Sequence, residues 1–208
     1  MSFQQCQNVT SLMAKFNKPW FIAGGWAIDL FMGKETREHK DIEIALYRKD
    51  QQHLKAYLKE WDFKKVINSE FHHWGDEFLE LPIHEIHATN KLNGDKLEVL
   101  LNEAEDKDWQ FRRDLRISLP HHAVWSYSKA GIPYLNPEIV LLYKAKNTRE
   151  KDHQDFITVK EHLDNKKKQW LKSALELHVP RTSMDSIVKL IHLILLHNGQ
   201  KKRHETLI

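Results

Sequence analysis

The chain has 208 residues, with 32 Lys plus Arg against 29 Asp plus Glu and a formal charge of +3 with histidine neutral. So small a surplus excludes a protein built to coat nucleic acid, so no stable nucleic-acid partner is expected, and 41% hydrophobic residues with 10% aromatic exclude disorder as the main state. A single cysteine, Cys6, leaves no intramolecular disulfide and no multi-cysteine metal cluster.

Along the chain, the apolar run Trp20 to Ala23 meets Gly24 and Gly25, after which Trp26, Ala27, Leu30 and Phe31 recur at helical spacing. This reads as strand, glycine turn and helix, with Gly33 as the stop. A polar loop then leads into a second strand over residues 41–47, where Ile42, Ile44 and Leu46 alternate with Asp41, Glu43 and Ala45. Residues 51–61 have helical periodicity, and residues 63–67, 77–81 and 83–89 read as short strands. Asn93 and Gly94 signal a hairpin that puts Glu98 in a strand. From Asn136, a candidate cap followed by Pro137, the pattern turns helical through residues 137–146, 152–163, 169–178 and 184–198, with Gly199 as a final cap. The expected fold class is therefore α/β (α+β): a mixed-sheet core over residues 1–135, then a helical region over 136–208 that closes a cleft. Neither a signal peptide nor a membrane span is expected. The most apolar stretch, Ile191 to Leu196, is far short of the roughly 20 residues that crossing a bilayer requires, and a cytoplasmic setting follows.

Asp41 and Glu43 stand two apart in a strand, so both carboxylates leave the same face while Ile42 and Ile44 enter the core. With Glu98 on an adjacent strand, three acids would converge, and their repulsion calls for a proton or a cation. Magnesium suits an all-oxygen set, and it takes one or two carboxylates together with waters and phosphates. Upstream, Gly24 and Gly25 let backbone N–H groups approach a phosphate at a helix start.

The stretch GGWAIDLFMGKETREHKDIEI resembles the signature of the DNA polymerase β superfamily of nucleotidyltransferases, in particular its aminoglycoside and lincosamide branch. The resemblance covers residues 20–46 specifically and extends more loosely to 103. It implies that Gly24 and Gly25 form the phosphate turn, that Asp41 and Glu43 are the metal pair, and that Glu98 is the third acid, acting as metal ligand, base or both. The branch pattern also takes in Gly33, Thr36, Arg37 and His39. The implied activity is magnesium-dependent transfer of a nucleoside monophosphate, AMP foremost, from ATP or another NTP to a hydroxyl of a small acceptor, an aminoglycoside or lincosamide antibiotic being one class.

Arg37 offers a planar fork to phosphate, His39 a nucleotide contact or an orienting hydrogen bond, and Asp29 a structural partner in the helix. Lys144 is a candidate for the triphosphate, Asp152 and Asp155 for a cationic acceptor, and Trp74 for stacking on a base. Three other readings stand beside these. The same fold could serve as a noncatalytic module, such as half of a toxin–antitoxin pair. Asp152 and Asp155 could simply stabilise their helix. The 14 histidines could include a zinc site, although His84 and His87 would fall on opposite faces of a strand. Oligomeric state has no signature in the sequence.

Overall fold

The computed structural model describes residues 3–146 and 148–178 and divides into two compact units, Met1–Asn136 and Pro137–Ile208. The sequence-predicted helix over 184–198 and its cap at Gly199 lie outside the described residues. The first unit opens with helix α1 (Gln4–Leu12), which buries Cys6 and Val9. Strand β1 (Trp20–Ile22) runs directly into helix α2 (Gly24–Met32), so the two glycines are the first residues of the helix and not a separate turn. Strand β2 (Glu43–Tyr47) is buried from Ile44 onward, Ala45 and Tyr47 included. Both its faces are thus covered beyond the catalytic-looking end, which alternation alone did not reveal.

A 3-10 turn at Arg48–Asp50 leads to α3 (Gln51–Tyr57), shorter than the periodicity predicts because the chain turns at Leu58 to start β3 (Trp61–Ile67). Next come β4 (Glu70–His73), β5 (Glu85–Asn90) and β6 (Lys96–Glu105). The β5–β6 hairpin forms across residues 91–95, with Gly94 at φ +78 and Asn93 Oδ1 accepting the Asp95 N–H at 3.0 Å. The expected strand over 77–81 does not form. Leu79 donates its N–H to Gln51 (2.8 Å), and its carbonyl accepts from Arg48 (2.9 Å), so side chains take the bonds a ladder would use.

The unit is completed by β7 (Asp108–Gln110), β8 (Ser118–Pro120), β9 (Trp125–Tyr127) and β10 (Pro133–Leu135). Strand order is β4-β3-β5-β6-β2-β1-β10-β9, with β7 joined to β6 and β8 to β7. Two pairings position the site. Strands β1 and β2 are antiparallel, whereas β2 and β6 are parallel with Glu43 opposite Glu98. The second unit contains α4 (Pro137–Lys144), α5 (Glu150–Val159) and α6 (Asn165–His178). No helix among the described residues is long and apolar enough to cross a membrane.

Candidate active site

The end of the sheet where α2 starts brings Glu43, Arg37 and His39 against the first residues of the helix. Ala23 donates its N–H to the Glu43 carbonyl at 2.8 Å, locking the start of α2 to the start of β2. Gly24 has φ +59, and a Cβ there would fall 1.3 Å from Glu43 Oε2. The Glu43 carboxylate therefore lies on the glycine itself, an approach that any side chain would block. At Gly25 an added Cβ would meet Arg37 Nη2 at 2.2 Å and His39 Cε1 at 2.4 Å. A carboxylate and a guanidinium thus flank the first N–H groups of a helix, where the backbone dipole favours an anion.

Register continues this row across the sheet: Glu43 pairs with Glu98, Glu98 with His87, and His87 with Lys64. His87 Nε2 donates to Glu85 Oε1 at 2.7 Å, and its Nδ1 lies 3.7 Å from Glu98 Oε1. Burial, then repulsion by Glu43, push the Glu98 carboxyl up to about 7, with smaller repulsion from Asp41 and Glu85 and opposition from His87. Asp41 is exposed and sits in a bend two residues ahead of β2, not in the strand as alternation predicts.

Among the described residues, no three His, Cys, Asp or Glu side chains close into a metal cage. The expected set of Asp41, Glu43 and Glu98 is thus not a preformed group of three, although Glu43 and Glu98 are cross-strand partners. The donor chemistry nevertheless fits a divalent ion. Hard oxygens are present, their repulsion is already felt at Glu98, and magnesium needs only one or two of them beside phosphate oxygens.

A cavity of about 950 Å³ opens next to Asp41 and Glu98 and reaches His87, Phe71, Lys64 and Lys96. Phe71 is 59% exposed on β4, its ring edge-on to His87 at 4.7 Å between centroids. Sequence reasoning missed Glu85, His87 and Phe71. The available signal was Glu85-x-His87, which shares a strand face in a way that His84 and His87 cannot.

Several predicted ligands are engaged elsewhere. Trp74 is buried, donates its indole N–H to the Glu77 carbonyl at 2.9 Å and is covered by Phe63 and the Lys55 ammonium, so no ring face is left for a base. Lys144 is clasped by Asp152 at 2.7 Å and Asp155 at 3.0 Å, and both carboxylates are almost fully buried. Burial works against the Asp152 charge, yet hydrogen bonds from Arg149 and Lys144 hold its carboxyl well below the usual range. These three residues form an ion-pair knot within the second unit, the arrangement expected of a structural role. Cys6 is no nucleophile: burial first, and the Asp29 charge next, push its thiol up to about 12.

A family model described as aminoglycoside-2''-adenylyltransferase matches residues 5–159. A lincosamide resistance protein of Staphylococcus haemolyticus is 27% identical over 158 residues, spanning 73% of this chain and 90% of the relative. The lincomycin-bound crystal structure of the lincosamide antibiotic adenylyltransferase LnuA superposes with a TM-score of 0.54 at 20% identity, covering 77% of this chain and 98% of that one. The last likeness shows a common nucleotidyltransferase fold.

Proposed function

Because this chain belongs to the aminoglycoside-2''-adenylyltransferase family and is thereby a nucleotidyltransferase enzyme, we propose that it transfers adenylate from ATP to a hydroxyl of a small antibiotic acceptor. The observation that carries this reading is the register of β2 against β6, which sets Glu43 opposite Glu98 beside the glycine start of α2.

The chain's own groups account for the work. The first N–H groups of α2 and the Arg37 fork bind triphosphate oxygens. Asp41 and Glu43 would hold magnesium, which when bound neutralises phosphate charge and favours in-line displacement at the α-phosphorus. Glu98 accepts the proton of the attacking hydroxyl, with His87 and Glu85 behind it to fix its orientation. A carboxyl raised toward neutrality is a better base than an ordinary glutamate. The new bond joins the acceptor oxygen to the α-phosphorus, and pyrophosphate leaves. Such an enzyme, drawing on ATP, belongs in the cytoplasm.

Charge in the cavity narrows the acceptor. Lys40, Lys64 and Lys96 balance Asp41, Asp95 and Glu98, so a polycationic aminoglycoside gains no net attraction there. An acceptor with at most one positive charge and an apolar arm for Phe71 and Trp61 fits better, and a lincosamide has that character. The test incubates the protein with ATP, magnesium and either lincomycin or tobramycin, following pyrophosphate release and the mass of the drug. Adenylated lincomycin with unmodified tobramycin is expected. No adduct on either drug would overturn the antibiotic reading.

A further inference from the structure

Asp29 is fully buried in α2, with 0% exposure, in a helix whose other inward residues are apolar. A charge so placed is costly unless every oxygen is used. Both are: Oδ1 accepts the Thr36 hydroxyl at 2.5 Å and Oδ2 accepts from His39 Nε2 at 2.7 Å. The His39 ring is 4% exposed and packs on Trp26 with centroids 4.4 Å apart. Its other nitrogen, Nδ1, lies 3.0 Å from Arg37 Nη1. A guanidinium can only donate, so Nδ1 must accept, and the ring proton must sit on Nε2, pointing at Asp29. Arg37 Nη1 also donates to the Glu38 carbonyl at 3.1 Å, while Nη2 comes to rest over Gly25.

We infer that Asp29 is a positioning residue for nucleotide binding, acting through the His39 tautomer to aim Arg37 at the phosphate site over Gly25. The inference rests on the reading of that site as a triphosphate cradle. The line Asp29 to His39 to Arg37 contains three side chains but only one donor–acceptor pattern. The carboxylate fixes the proton on Nε2, which leaves Nδ1 as the acceptor that holds the fork. Without the carboxylate the ring is free to carry its proton on Nδ1, where it faces the guanidinium N–H and repels it. Packing would be almost unchanged, but Arg37 would lose its aim. Thr36 donates to the other Asp29 oxygen, away from the His39 bond.

Two measurements test it. Nitrogen-15 imidazole NMR of the wild-type protein should show His39 with its proton on Nε2, and a proton on Nδ1 would overturn the inference outright. Binding of adenosine 5'-(α,β-methylene)triphosphate with magnesium should then weaken by roughly tenfold in Asp29→Asn, the size of one charge-assisted contact. Turnover should show the same rise in KM for ATP while KM for lincomycin stays fixed. A merely structural Asp29 would lower the melting temperature and the active fraction with both KM values unmoved, and that result overturns the proposal. If the wild-type protein binds no nucleotide, the cradle reading fails first. Wild-type binding with undiminished binding by a folded Asp29→Asn variant overturns the positioning role alone.

Discussion

At the residue scale, Gly24 and Gly33 share a positive φ, +59 and +71, but have different surroundings. A Cβ at Gly33 meets nothing within 4 Å, whereas one at Gly24 lands on the Glu43 carboxylate. Either alanine variant should lose about 1–2 kcal/mol of stability to left-handed strain. Only Gly24→Ala should also lose turnover, roughly a hundredfold, because Glu43 is displaced from where the reacting phosphate needs a ligand. Chemical denaturation and pyrophosphate release on both variants check the pair. Equal activity in the two would mean that the contact between Gly24 and Glu43 is incidental. Glu43→Gln separates stability from function in another way. It keeps the side chain's shape and removes the strongest repulsion on Glu98, so the variant should stay folded, with the Glu98 carboxyl moved back toward its ordinary range, while being inactive with magnesium and ATP.

At the element scale, the row Glu43, Glu98, His87 and Lys64 exists only because β2 is parallel to β6 and β5 and β3 follow in antiparallel register. Much of this was legible. The Gly24–Gly25 start, the β2 pattern and the Asn93–Gly94 hairpin are local signals, each encoded within a few residues. What was not legible depends on partners far away in sequence. Leu79 looks like a strand residue until Arg48 and Gln51, about thirty positions upstream, take its backbone groups. Trp74 looks like a cleft residue until Phe63 and Lys55 cover it. Lys144 looks like a phosphate ligand until Asp152 and Asp155 close on it. Substitution of Lys144 by Met should therefore act on the α4–α5 knot, taking the ammonium away from two buried carboxylates while Asp152 keeps its Arg149 bonds, at a cost of about 3 kcal/mol. Urea denaturation would show this loss. A raised KM for ATP with stability intact would instead return Lys144 to the nucleotide.

At the scale of the whole molecule, the Glu98 and Asp152 carboxyls, one in each unit, respond oppositely to pH. In the first, the Glu98 carboxyl is raised from 4.5 to about 7 on folding, so its stabilising share is complete below pH 4.5 and is lost as pH rises through 7. In the second, the Asp152 carboxyl is depressed below 3.8, so its share is present above that value and is lost as pH falls through the folded value. Without divalent ions β2 and β6 should loosen toward pH 8, as should the start of α4 around Glu138, whose carboxyl burial also raises, while the Asp152 knot should loosen toward strong acid. Magnesium binds the ionised acids in preference to the protonated ones, so it should protect the first unit increasingly as pH rises through 7 and leave the second untouched. Hydrogen exchange resolved by segment and corrected for intrinsic rates is the measurement to make, comparing β2 and β6 with α4 and α5 at pH 5.5 and 8, with EDTA or magnesium. Magnesium protection confined to β2 and β6 and larger at pH 8 is the expected result. Protection that is uniform over both units, or larger at pH 5.5, would mean that the ion does not bind at Asp41 and Glu43.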